Sequence, residues 1–349
     1  MVTIDKKESD FLNSLKFVCI LTIVMVHCSL HDSDYITPRL VQELIPDIRS
    51  WTCALHFGEV ALGLFFVVSG YLFFRSSLID SYNWKKDYLS KVKSRFKGLF
   101  ILYVVWNTVG LIVGYLINKN YPSDLLALLN GYNPFTPKQY FGRGLWFLES
   151  LIVFTLLSPL YYFAIRYLKH LVPLLCLFFC LADIEIGFLY FNVYLLLGCY
   201  FACMGIRLID IAKLFNWKIC LLLIVLLQLV LRSGMVSVPI AGSVSIFIFL
   251  SAFMGILYNN PVPAKIAGSS TFIYVAHFYS TMIWKRVLLP LLPADMFGYV
   301  ANMVLNWAIT SCICVLVYLF IIRKFDIMNL LFAGGRTIKK LPEIQNSPS

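Results

Sequence analysis

Apolar runs of about 20 residues repeat along this chain, each separated from the next by a short polar or basic connector. An α-helix rises about 1.5 Å per residue, so such a run matches the hydrocarbon core of a bilayer, about 30 Å thick. The runs fall near residues 12–31, 54–75, 98–117, 144–165, 169–183, 186–206, 217–233, 237–258, 267–284 and 299–322. The expected fold is all-α: a polytopic transmembrane helix bundle of about ten spans. The fifth run is short and is followed at once by Asp183 and Glu185. The fifth and sixth runs could therefore form a re-entrant hairpin, which leaves eight spans.

Composition agrees. Hydrophobic residues make up 60% of the chain and charged ones 13%, against about 25% charged in soluble domains. The excess apolar surface has to face lipid. One integral domain is expected over 1–325, followed by a cytoplasmic tail over 326–349. The first run carries no small-residue cleavage site, which marks it as a retained span.

Basic residues orient the bundle. Arg75, Lys85, Lys86, Lys91, Lys93, Arg95 and Lys97 crowd the connector between the second and third runs. Short basic connectors stay on the cytoplasmic side, which puts both termini in the cytoplasm. The same bias, with anionic lipid, accounts for a formal net charge of +11. No basic, aromatic-studded solvent domain remains to bind nucleic acid. Most of the ten cysteines lie inside apolar runs, and none has zinc-site spacing. No metal is expected.

Ionisable groups within spans are costly and tend to be functional. Lys16 and His27 lie 11 residues apart in the first span, which is three helical turns plus about 20°. Both therefore share one face, separated by about 16 Å along the axis. A cation at one end suits phosphates, and an imidazole at the other suits general-base work. A snorkelling lysine and a packing histidine are the plain alternatives. In the second span Ser69-Gly70 offers a small surface for a helix or a ligand. Arg95 and Lys97 open the third span and could join Lys16. Trp146 at the start of the fourth span fits an aromatic belt or a substrate platform. Glu149, one turn further in, could orient His27 or His56, the latter at the start of the second span. His277 falls near the middle of the ninth span and must face protein or a wet cavity.

Taken together, these segments resemble the acyltransferase-3 family of integral membrane acyltransferases over about residues 10 to 325. Lys16 and His27 match its spacing of a basic residue, ten positions and a histidine, with Lys where Arg is commoner. Phe65 to Leu72 looks like its second-span motif, and Arg95 to Trp106 its third, with Leu102 where Pro is common. Leu145-Trp146-Phe147, Tyr194 to Gly198 and Ser270 to His277 resemble later ones.

The resemblance implies a stand-alone O-acetyltransferase of the bacterial plasma (inner) membrane. Its donor would be an acyl-CoA, typically acetyl-CoA, and its acceptor a carbohydrate of the cell envelope. On this reading His27, Glu149 and His277 serve catalysis. Lys16, Ser69, Arg95 and Lys97 hold the donor, and Trp146 and His56 meet the acceptor. A polysaccharide or lipid-linked glycan flippase is the rival, since intramembrane charges also suit transport.

Overall fold

The structure, a computed structural model, describes residues 6–28, 57–75, 84–118, 122–134, 144–181, 187–213, 256–293 and 296–335, with isolated positions between 216 and 226. His56 and most of the seventh and eighth apolar runs lie outside the described residues. Among the described residues the chain is all-α. Its main helices are α1 (Lys6–His27), α2 (Phe57–Phe74), α3 (Trp84–Asn118), α4 (Leu125–Gly131), α5 (Trp146–Leu168), α6 (Leu171–Leu181), α7 (Gly187–Cys203), α8 (Leu208–Ala212), α9 (Ala264–Ala267), α10 (Ser270–Leu288), α11 (Met296–Phe320) and α12 (Asp326–Ala333). Among the described residues, four segments are long and apolar enough to cross a bilayer: Lys6–His27, Tyr88–Leu116, Trp146–Leu168 and Phe297–Lys324. Ala61–Phe74 and Asn192–Cys203 are shorter apolar helices. The 11 residues of α6 rise only about 16 Å, half a bilayer core.

Three features depart from the expected layout. The basic connector before the third run is not a loop from Trp84 onward. It is the first third of α3, a single helix of 35 residues. The polar stretch after that helix contains α4, whose first turn is capped by Asp124 Oδ1 accepting from the Ala127 N–H at 2.7 Å. Asp326 to Ala333, at the head of the expected tail, forms α12 and packs on α3.

Small residues set the closest crossing, between α2 and α7. A Cβ on Gly70 would lie 2.2 Å from the Leu195 carbonyl oxygen, and one on Gly198 2.0 Å from that of Val67. Neither position has room for a methyl group. Backbones this close gain dispersion contacts that lipid does not offer.

Polar side chains satisfy the helices where they are interrupted or paired. Pro159 within α5 has no N–H to offer Thr155, and Ser158 Oγ donates to that carbonyl at 2.9 Å. Along α11, Asn302, Asn306 and Thr310 recur every fourth residue and are fully buried. Ser280 Oγ donates to Thr310 Oγ1 (3.1 Å), Thr310 Oγ1 donates to Asn306 Oδ1 (3.2 Å), and Asn306 Nδ2 donates to the Thr281 carbonyl (3.2 Å). This ladder joins α11 to α10 in antiparallel fashion. Trp307 Nε1 donates to the Leu21 carbonyl at 2.9 Å and ties α11 to α1.

At the N-terminal end of α1, Glu8 is 0% exposed. It accepts from Tyr71 Oη of α2 at 2.9 Å and pairs with Arg207 Nε, just after α7, at 3.2 Å. One carboxylate thus gathers the ends of three helices.

Candidate active site

α1 and α10 run in the same direction. Near their starts Ser14 Oγ accepts from the Val262 N–H at 2.9 Å, and Lys16 lines the same cavities as Thr271. Further along, the His27 and His277 rings meet with centroids 5.2 Å apart and a tilt of 34°. Phe278 completes the cluster, 4.5 Å from His27 and 4.6 Å from His277.

His277 is 1% exposed. Its Nδ1 lies 3.1 Å from the Ile273 carbonyl and 2.7 Å from that of Tyr274. Carbonyl oxygens only accept, so Nδ1 carries the hydrogen and Nε2 keeps its lone pair. Nε2 is buried and has no hydrogen-bond partner. A buried acceptor without a partner costs about 1–3 kcal/mol, which makes Nε2 available to a proton donor. His27 lies on the exposed side of the pair.

A turn at Gly144 supports the rings. Gly144 has φ 75°, and a Cβ there would lie 2.1 Å from the Phe278 ring. Its carbonyl accepts a hydrogen bond from Tyr274 Oη. Tyr274 in turn sits 6.4 Å from His277 and 5.3 Å from Phe147, centroid to centroid.

Tyr274 also lines a narrow cavity of about 70 Å³, with Phe65, Ser69, Phe147, Lys16 and Arg95 among the other lining residues. Lys16, Arg95, Leu72, Leu99 and Thr271 are shared with a wider vestibule of about 470 Å³. Arg75 and Ser94 also line this vestibule. The result is a basic mouth that narrows to an aromatic slot, one ring removed from the histidine pair. Ser69 Oγ donates to the Phe65 carbonyl at 2.7 Å, which presents a small, internally satisfied surface to the slot. Arg95 lies over the Phe73 ring at 6.0 Å.

A family model described as an acyltransferase domain matches residues 9–323. The chain belongs to the acyltransferase-3 family. It is a multi-pass membrane acyltransferase, and its activity implies an acyl donor, an acceptor and a bilayer. No curated protein and no solved structure matches it.

Within this acyltransferase the structure brings together Lys16, Ser69 and Arg95 at the cavities, and His27 with His277 at the ring cluster. It does not bring Lys97, Trp146 or Glu149 into either. Lys97 is exposed, and Trp146 packs on Phe66 at 6.1 Å. Glu149 makes no hydrogen bond or ion pair to either imidazole. The slot-lining residues of α5 are Phe147, Leu148, Leu151, Phe154 and Thr155. At 100° per residue Glu149 points about 160° away from the middle of that set.

Three positions at these cavities and rings escaped the sequence reading. Gly144 sat unmarked before the Leu-Trp-Phe motif. Phe278 directly follows the histidine that ends the ninth-span motif. Arg75 served only to orient the bundle, yet it lines the vestibule.

Proposed function

We propose that the acyltransferase moves an acyl group, acetyl in the first instance, from acyl-CoA to a carbohydrate hydroxyl, with His27 as general base. The observation that carries this reading is the alignment along α1 of a cationic mouth, a narrow slot and, beyond the Tyr274 ring, paired imidazoles. Phosphates of the donor sit at Lys16 and Arg95. The flexible arm runs past Ser69 and Tyr274 and delivers the thioester to His27, about 16 Å along α1 from Lys16.

The reaction balances on these groups. His27 takes the proton of the acceptor hydroxyl as the oxygen attacks the thioester carbonyl. A C–O bond forms, the C–S bond breaks, and the leaving thiolate recovers the proton from the imidazolium. The lone pair on His277 Nε2 orients His27 and stabilises its charged form. His277, rather than Glu149, is the supporting group in this scheme.

Ten spans with both termini cytoplasmic accord with this path. The parallel course of α1 and α10 is compatible with a first and a ninth span. The basic mouth then opens to the cytoplasm and the histidine pair lies toward the opposite face, where an envelope glycan in a bacterial plasma membrane would wait.

Reconstitution tests the reading. Vesicles holding the protein should release CoA from acetyl-CoA only when glycan is supplied, and the glycan should gain base-labile acetyl groups. Glycan crossing the bilayer with no acyl-CoA present would favour the flippase instead.

A further inference from the structure

The vestibule has a wall that neither its charge nor the family match accounts for. Besides Lys16, Arg75 and Arg95, it is lined by Ala333, Gly334 and Gly335, which lie past residue 323, where the match ends. This strap is held in place by several contacts. α12 packs on α3, and Trp106 Nε1 donates to the Phe332 carbonyl at 3.4 Å. The Phe332 ring meets Trp106 edge-on at 6.1 Å. A Cβ on Gly98 would come within 3.0 Å of the Gly334 carbonyl oxygen.

Gly334 and Gly335 have φ of 77° and 68°. Both lie in the left-handed region that side-chained residues rarely adopt. The Gly335 N–H donates to the Asn329 carbonyl at 2.9 Å and closes the end of α12. The strap therefore offers the vestibule a neutral backbone surface with no side chain beyond the Ala333 methyl. The remaining walls carry three cations. A wide cavity that is cationic on some walls and neutral, without bulky side chains, on another suits a ligand with phosphates at one part and an uncharged ring at another. Its volume lies within the range of small-molecule sites.

We propose that the Ala333–Gly334–Gly335 strap is a binding element for the nucleotide end of the donor, with the adenine against the strap and Arg75 joining Lys16 and Arg95 on its phosphates. This rests on the acyl-CoA reading above. It makes the segment after residue 323 part of the donor site.

The test is photolabelling of the full-length protein in phosphatidylcholine nanodiscs with CoA bearing an azide on adenine. Trypsin would release the strap on the peptide 325–336, between Lys324 and Arg336. The expected result is label on that peptide. Excess CoA should displace it by about ten-fold or more, whereas pantetheine, which lacks the nucleotide, should leave it in place. Arg75→Ala should weaken CoA binding about ten-fold. CoA-displaceable label confined to other peptides would overturn the strap proposal and leave the donor reading standing. Absence of any CoA-displaceable label would overturn both. Displacement by phosphatidylglycerol as effective as that by CoA would reassign the vestibule to lipid headgroups and overturn the proposal.

Discussion

His277 holds its Nδ1 hydrogen against the Tyr274 carbonyl at 2.7 Å, and this bond decides which nitrogen is left for chemistry. With Nδ1 committed, Nε2 is the only base the ring can offer. His277→Asn should keep the fold and lower kcat about 10²-fold with little change in KM, as expected for a group acting in the transition state. Steady-state kinetics on the purified variant checks this.

Gly144 combines a left-handed backbone with contact against Phe278. Gly144→Ala strains the backbone by about 1–2 kcal/mol and drives a methyl group into the ring that packs on both histidines. We expect a large loss of kcat with only a modest fall in Tm. Thermal unfolding in detergent, run beside the activity assay, separates the two effects.

Lys16 and Arg95 stand at the mouth, remote from the reacting bond. Lys16→Met and Arg95→Ala should each raise KM for acyl-CoA about ten-fold, the equivalent of about 1.4 kcal/mol, with kcat nearly unchanged. Lys16→Arg keeps the charge and should stay near the parent enzyme. Initial rates across a donor series read this out.

Gly70 and Gly198 occupy one helix crossing. A methyl group at either should cost about 1–3 kcal/mol by overpacking. The double variant should cost less than the sum, because the first methyl already separates α2 from α7. Denaturant titration of the two single variants and the double variant measures the shortfall.

Glu8 joins three helix ends from a fully buried position. Removing Glu8 leaves the buried Tyr71 hydroxyl without its acceptor and Arg207 without its buried partner, so Glu8→Ala should lower stability by about 1–3 kcal/mol. Glu8→Gln, which keeps a hydrogen-bond acceptor for Tyr71, should lower it less. Thermal unfolding ranks the two.

Local physics made much of this legible in advance. Apolar run length located the four described helices long enough to cross a bilayer, and helical spacing placed Lys16 and His27 on one face because 11 residues nearly close three turns. Ser69-Gly70 announced a close approach through size alone. What stayed hidden depends on contacts between distant segments. His27 meets His277 across 250 positions of chain, and no periodicity records which helices become neighbours. Glu8, beside Lys6 and Lys7, reads as a solvated charge until Arg207 arrives from the turn after α7. The helical start of α3 was masked by its charge density, which resembles a connector. Depth in the span singles out Glu149, but the direction of its side chain around α5, away from the slot, depends on how that helix packs. The ladder of Asn306 and Thr310 follows a four-residue spacing in the sequence, but its partners Ser280 and Thr281 lie on another helix.

His27 carries the central claim. The decisive measurement is glycan-dependent CoA release by purified, reconstituted His27→Ala, with CoA binding measured on the same sample. The account predicts that CoA binding is retained while turnover falls about 10²–10⁴-fold, the range set by loss of a general base. Turnover equal to that of the parent protein would contradict it.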